Sequence, residues 1–255
     1  MKILSYNILR GAFSQNDDRT ETVLQLIRDQ EADVVGLCEC TNFLDNDAAR
    51  LHLFEKALGM RSVINRAPSG ENVAIFYNER ANCSATGASA VMMYHGFAHI
   101  VVTLPVIGRT TILMTHLHPR SALSRLSEAE NVLAKATQEP NAIVMGDFNS
   151  IADHELSNIG GLTTNNRIRF LGSSHTTIGA VSSFFLNNGF FDLGAELATP
   201  TYPTKKFRGA ETVQLRLDFM FGSAEVAARS NFTTISTPVA QAASDHLPLM
   251  CELTG

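Results

Sequence analysis

Eight short apolar runs punctuate the chain: KILSY, DVVGLC, NVAIFY, HIVVTLPV, TTILMT, NAIVM, LRLDFMF and LPLMCEL. Each is strand-sized and bounded by polar or turn-forming residues, so the runs read as β-strands. Helical patterns are fewer. Residues 18–29 place Val23 and Ile27 one turn apart, 46–58 stops at Gly59, and 121–137 repeats Leu123, Leu126, Leu133 and Ala136 before Pro140 ends it. Several strands follow one another without a helix through 72–115, which excludes a strict alternation of strand and helix. The pattern predicts an α/β chain of two mixed β-sheets packed face to face with helices outside, in one domain over residues 1–255. Residues 157–182, rich in Ser, Thr, Asn and Gly, read as a surface loop.

Charge limits the partners. Lys and Arg number 20 against 25 Asp and Glu, a net charge of −5, so no general basic field holds a polyanion. A nuclease that grips phosphate through local cations and a metal is still compatible with this balance. MKILSYN turns polar too early for a signal peptide, and no apolar run reaches bilayer-spanning length, so a cytoplasmic protein without a transmembrane segment is expected. Cys38, Cys40, Cys83 and Cys251 read as reduced thiols. Cys38 and Cys40 share one apparent strand and lack a second close Cys or His pair, so they make neither a disulfide nor a good zinc site.

The polar residues are placed systematically. Asn7 follows KILSY, Glu39 follows DVVGLC, His116 follows TTILMT and Asp147 follows NAIVMG. Strand ends meet solvent at a sheet edge, and in α/β architectures ligands bind in the crevice beyond those ends. Asn7, Glu39, Asp147, Asn149 and Asp245 offer hard oxygen donors, which suit magnesium, manganese or calcium, while His116 and His246 add imidazoles. Extended backbone through GDFNS puts Asp147 and Asn149 on one side, set to hold a water or a phosphate oxygen.

Taken singly, each residue has an ordinary reading: Asn7 and Asn149 as turn residues, Glu39 as a solvated strand end, His116 as a core histidine, Asp245 as a loop or cap residue. Those readings do not explain why all fall at the same topological position. Competing motifs are absent: the sequence has no G-x-x-x-x-G-K-[ST], no H-E-x-x-H and no G-x-S-x-G. DHELS at 153–157 lacks the second histidine of a metal helix.

In order along the chain, SYNI (5–8), CEC around Glu39, THLH (115–118), GDFN (146–149), RLDF (216–219) and SDHLP (244–248) resemble the motifs of the endonuclease/exonuclease/phosphatase superfamily, the deoxyribonuclease I-like metal phosphoesterases. The resemblance implies a four-layer α/β sandwich and hydrolysis of a phosphoester with a divalent cation, usually Mg2+, with Mn2+ or Ca2+ as substitutes. Carried over by position, Glu39 is the principal metal ligand, with Asn7 and Asp245 beside it. Asp147 orients or deprotonates the attacking water, Asn149 steadies the phosphate or that water, His246 contacts the phosphate, and Asp218 holds the His246 ring. This division is chemically sensible, because attack on a phosphodiester needs its charge neutralised and its nucleophile aligned.

Two departures stand out. Cys38 precedes Glu39 where the family most often has Gln, and ENVAIFY leaves either Glu71 or Asn72 to support His116 or meet the phosphate. Asn72 and Arg10 are the candidate phosphate contacts, whereas surface salt bridging suits Arg120 better. His116 in THL argues against the abasic-site repair branch of the family. The acidic net charge, the absence of Trp and the lack of interleaved basic and aromatic residues favour a small or lipid-derived phosphoester over a DNA or RNA strand. A nuclease is the alternative, a silent scaffold of the same fold a third, and no protein partner is inferable.

Overall fold

The computed structural model of the chain describes residues 1–152, 160–171 and 179–254. Its strands, in chain order, are β1 (Lys2–Asn7), β2 (Phe13–Ser14), β3 (Asp17–Asp18), β4 (Val34–Cys38), β5 (Arg61–Ile64), β6 (Ala74–Tyr77) and β7 (Cys83–Ser89). They continue as β8 (Gly96–Leu104), β9 (Gly108–His116), β10 (Asn141–Asp147), β11 (Phe191–Asp192), β12 (Asp218–Gly222), β13 (Ser230–Thr234) and β14 (Leu249–Leu253). The helices are α1 (Thr20–Arg28), α2 (Ala49–Leu58), α3 (Ala122–Ala136), α4 (Thr164–Leu171), α5 (Ala180–Asn187), α6 (Ala224–Ala227) and α7 (Ala240–Ala243).

Two six-stranded sheets carry the fold, in the orders β13-β14-β1-β4-β6-β5 and β11-β12-β10-β9-β8-β7. Each has one parallel pair near its centre, β1 with β4 and β9 with β10, joined through α1 and α3 respectively, as a parallel connection requires. Period-two alternation then sorts the side chains into layers. Ile3, Val34 and Ile75 from the first sheet meet Ile112, Ile143, Met145 and Met220 from the second in one buried cluster. Leu4, Tyr6, Val35 and Leu37 point the other way, against Val23 and Ile27 of α1 and Phe54 of α2. Leu113, Val144, Phe219 and Phe221 likewise pack on Val132 of α3 and Phe185 of α5. This is the expected four-layer sandwich, two mixed sheets flanked by helices.

The parallel pairs bring the functional strand ends together. In β1 and β4 Asn7 lies opposite Cys38, so Glu39 is the first residue past the sheet. In β9 and β10 His116 lies opposite Asp147, and β12 sets Asp218 on the other side of Asp147. Ser5 pairs with Leu249, so the segment entering β14, with Asp245 and His246, arrives at the same edge.

Other expectations need correction. On α3 Ala136 is buried and Leu133 packs against the core as expected, but Leu123 is 72% exposed and Arg125, Glu128, Ala129 and Val132 fill the rest of the inner face. The segment 157–182 is not all loop, because α4 and the start of α5 fall within it; DHELS lies outside the described residues. Cys40 lies beyond the strand that Cys38 ends, and all four cysteines are free thiols. β5, β7 and β13, which no apolar run announced, are sheet edges with partly exposed side chains.

Candidate active site

GDFN turns rather than extends. The backbone leaves β10 at Asp147, and Asn149 has a left-handed φ of 48°, with its N–H donating to Asp147 Oδ1 at 2.8 Å. That is the Asx-type turn its residues favour, and it replaces the expected same-side placement. Phe148 anchors the turn outward, its ring 5.3–5.6 Å from those of Phe185, Phe219 and Phe221. With the aromatic fixed in the outer core, Asp147 faces the crevice between the sheets.

Four segments converge on that carboxylate. Asn7 Nδ2 donates to Asp147 Oδ2 at 3.1 Å and to Glu39 Oε1 at 3.2 Å, so one amide from β1 ties an acid of each sheet. Its Oδ1 accepts from the Leu9 N–H, which turns the NH2 end toward the acids. Glu39 Oε2 accepts from the Arg10 backbone N–H at 2.9 Å. His116 Nε2 and His246 Nε2 stand 3.4 and 3.6 Å from Asp147 Oδ2. Asp218 Oδ2 is 2.7 Å from His246 Nδ1, fixing that ring from behind.

The charges follow from these distances. Burial works against an imidazolium at His246, but Asp218, Asp147 and Asp245 outweigh it and push its pKa up to about 10. Burial likewise opposes ionisation of Asp147, yet His246 and His116 hold it well below the ordinary carboxylate range. Asp245 is raised by burial, with Glu39 and Asp147 adding repulsion. Crowded acids of this kind are relieved by a cation, and the oxygens of Glu39 and Asp245 are hard donors, so the residues present fit a hard divalent ion.

Among the described residues, two triplets of ligating side chains have atoms within 4.8 Å of one another, Asp147–Asp218–His246 and Glu71–His95–His116. The first is closed by its own Asp218–His246 hydrogen bond. In the second the rings of His95 and His116 stack, with centroids 4.0 Å apart and planes 7° from parallel. A ring nitrogen's lone pair lies in the ring plane, and parallel planes share no point where one ion sits in both. The stack therefore supports His116 rather than forming a two-histidine chelate. Burial, reinforced by His116, pushes His95 down to about 2, so His95 stays neutral beneath it.

A model described as the Endonuclease/Exonuclease/phosphatase family matches residues 4–246. The chain belongs to the endonuclease/exonuclease/phosphatase family. Members of this family are hydrolases of phosphoesters. No match was found among curated protein sequences. Among solved structures, an AP endonuclease from Archaeoglobus fulgidus is similar at 16% identity with a TM-score of 0.73, each chain covered over 100%. A 3' phosphatase, NExo, from Neisseria bound to product DNA hairpin is similar at 17% identity, TM-score 0.71, again over 100% of both chains. A humanized D. rerio TDP2 is similar at 18% identity and a TM-score of 0.67, over 98% of this chain and 97% of that one. At these identities the likeness shows a shared fold.

Within this family fold, two candidate contacts take different places. Asn72 is buried, and both ends of its amide hold backbone: Oδ1 accepts from the Ala67 N–H at 2.9 Å and Nδ2 donates to the Cys40 carbonyl at 3.2 Å. The Asn72 amide is thus occupied by backbone, and Glu71 is the one near His116. Arg10 meets Glu39 through its backbone while its side chain is exposed. The Cys38 thiol donates to the Thr115 carbonyl at 3.2 Å, bridging the two sheets from the position where the family most often has Gln.

Several residues at the centre escaped the sequence reading. Ser244 Oγ donates to the Asn7 carbonyl at 2.7 Å, Tyr202 packs its ring 4.8 Å from that of His246, and Arg169 Nη2 donates to Asn149 Oδ1 at 2.6 Å. On α3, Glu128 accepts from the N–H groups of Tyr94 and His118, each at 2.7 Å, and Arg125 donates to the carbonyls of His118 and Phe170 at 3.1 and 3.3 Å. Ser244 was already inside the SDHLP motif. Arg169 and Tyr202 lie between motifs with no periodic signal, and Arg125 and Glu128 lie on α3, where the leucine periodicity masked them.

Proposed function

We propose that this chain is a divalent-cation-dependent phosphoester hydrolase, working on a phosphodiester with Mg2+, and with Mn2+ or Ca2+ as substitutes. The observation that carries the reading is the Asp147 carboxylate, within 3.6 Å of Asn7, His116 and His246, with Glu39 one amide away. Glu39 and Asp245 would hold the cation, and Asn7 aligns Glu39 with Asp147. When bound, the cation would neutralise phosphate charge and make the attacking water more acidic. Asp147, held ionised, accepts a hydrogen bond from that water and aims its lone pair at phosphorus. The P–O bond to water forms as the bond to the leaving oxygen breaks, the water giving one proton to Asp147 and the leaving oxygen taking one up from solvent. His246, kept protonated by Asp218, and His116 face the charge that develops on the phosphoryl oxygens.

For the substrate, we favour a small or lipid-derived phosphoester, supported by the net charge of −5 and the absence of Trp. A nuclease is the second reading, and one observation favours it: exposed Lys205 and Lys206 follow Thr204, whose N–H donates to the Asp245 carbonyl at 3.0 Å. Among the described residues no helix is long and apolar enough to cross a membrane.

Turnover of bis-p-nitrophenyl phosphate with Mg2+, Mn2+ or Ca2+, then of phospholipid headgroup esters, inositol phosphates, DNA and RNA, tests the reading. Asp147→Ala is expected to lose at least about 10²-fold in kcat, and Glu39→Gln to need far more cation. Absence of turnover on every phosphoester with every ion would leave the scaffold reading instead.

A further inference from the structure

Arg169 reaches the centre from α4, a helix inside the stretch that reads as loop in the sequence. Its Nη2 donates to Asn149 Oδ1 at 2.6 Å and its Nε to the Pro119 carbonyl at 3.3 Å. The guanidinium carbon lies 4.8 Å from the ring centroid of Phe170 and 5.7 Å from that of Tyr202, the ring that packs on His246. Asn149, Tyr202 and Pro119 belong to different segments, so the position of this one cation is set from three sides.

The helix that carries it is held at both ends. Near its N-terminus, Glu211 accepts from the Thr163 N–H at 3.3 Å, from the Thr163 hydroxyl and from Asn166 Nδ2 at 2.8 Å. At its C-terminus, the buried Arg125 donates to the carbonyls of Arg169 and Phe170 at 3.5 and 3.3 Å, a cationic cap where the helix dipole favours one. Phe170 itself is buried with Ile151, Leu162, Leu215 and Leu217.

Asn149 was the residue expected to steady the phosphate, but its polar groups are engaged: Oδ1 with Arg169, Nδ2 with the Leu117 carbonyl at 2.9 Å and the backbone N–H with Asp147. A guanidinium has five N–H donors, and only Nε and Nη2 are used in these contacts. Its field also reaches the carboxylates of Asp147 and Asp245. We infer that Arg169 is a substrate-contacting residue, whose guanidinium, aligned by Asn149 and Tyr202, donates to a non-bridging oxygen of the phosphoester bound beside Asp147. The inference rests on the hydrolase reading and deepens it. A preset guanidinium meets the charge growing on the phosphoryl oxygens with little ordering left to do. An arginine that only orients Asn149 would act on kcat alone and leave the affinity for phosphate unchanged.

The test uses the full chain as wild type, Arg169→Ala and Arg169→Lys, with two readouts. Inorganic phosphate is titrated calorimetrically in the presence of Mn2+, and bis-p-nitrophenyl phosphate turnover is measured with and without added guanidinium chloride. Arg169→Ala is expected to weaken phosphate binding at least about tenfold and to lower kcat/KM about 10²- to 10³-fold. Guanidinium at low, non-denaturing concentration should restore part of the loss saturably. Arg169→Lys, which cannot bridge Asn149 and an anion with one planar fork, should recover little. Phosphate binding within about twofold of wild type in both variants, with no guanidinium rescue, overturns the contact and leaves Arg169 as a positioning residue for Asn149. A wild type that binds phosphate through Arg169 yet turns over no phosphoester would sink the hydrolase reading alone. Melting curves of all three proteins identify a folding defect, and Arg169→Lys then carries the comparison.

Discussion

The imidazole of His95 lies flat against that of His116, 4.0 Å between centroids and 7° from parallel, and its buried Nε2 has no hydrogen-bond partner among the described residues. Burial, then the neighbouring His116, pushes His95 down to about 2. In the unfolded chain a histidine titrates near about 6.5, so below that pH the unfolded state takes up a proton that the folded state refuses. The contribution is therefore complete above about 6.5 and is lost as pH falls toward 2, at about 1.4 kcal/mol per pH unit for one proton. Urea unfolding of metal-free protein between pH 7 and pH 5 should show this slope, and His95→Asn should make it shallower by about one proton. Equal slopes in the two proteins would remove His95 as the source.

His246 gives the opposite limb. Its pKa is pushed up to about 10 because Asp218, Asp147 and Asp245 outweigh the opposition of burial. The stabilisation is complete below the unfolded value of about 6.5 and is lost as pH rises through about 10. Asp218→Asn removes the strongest of those partners, so metal-free Asp218→Asn should lose less stability than wild type between pH 7 and pH 10. It should also lower kcat about 10²-fold, because the ring loses both its charge and its orientation. An alkaline limb identical to that of wild type would mean that Asp218 does not govern the charge of His246.

What the sequence made legible follows from how sheets are built. A short apolar run that stops at a polar residue locates a strand end, and parallel pairing then brings Asn7, Glu39, His116 and Asp147 to one edge. The family motifs added Asp218, Asp245 and His246 to that edge. Arg169 and Tyr202 were illegible because a single polar or aromatic residue between motifs has no period, and its partners lie far along the chain, Arg169 being 20 residues from Asn149. Arg125 and Glu128 were masked by Leu123, Leu126 and Leu133 on the same helix. Apolar counting chose the leucine face, whereas the loops bearing His118 and Tyr94 and the C-terminal turn of α4 at Phe170 have polar backbone groups that only buried polar side chains satisfy. The edge strands were missed for a related reason: a half-exposed strand needs no apolar run.

Arg125 should thus be worth more than its place on a helix surface suggests. It is 2% exposed, and burial, together with Arg169, pushes its guanidinium down to about 10, so it stays charged at neutral pH. Arg125→Leu leaves the carbonyls of His118, Arg169 and Phe170 without their donor. The expected loss is on the order of 3 kcal/mol in urea unfolding, together with reduced activity as α4 loses its C-terminal cap. A change under about 0.5 kcal/mol, typical of a surface position, would show that these bonds are replaced by water.

Gly146 provides the sharpest contrast, because two separate costs meet there. Its φ is +142°, and a Cβ added to it would fall on the Thr115 carbonyl oxygen, far inside van der Waals contact. Thr115 is its register partner in β9, next to the pair His116–Asp147, so relief requires spreading the strands where the site is assembled. Gly59 also has positive φ, +65°, but nothing lies within 4 Å of its added Cβ. Gly59→Ala then costs only the left-handed backbone, about 1 kcal/mol. Gly146→Ala should cost several times as much, either failing to yield soluble protein or melting well below Gly59→Ala, and any folded fraction should be nearly inactive. Comparable melting temperatures for the two variants would mean that β9 and β10 separate without penalty and that close approach is not what the glycine of GDFN provides.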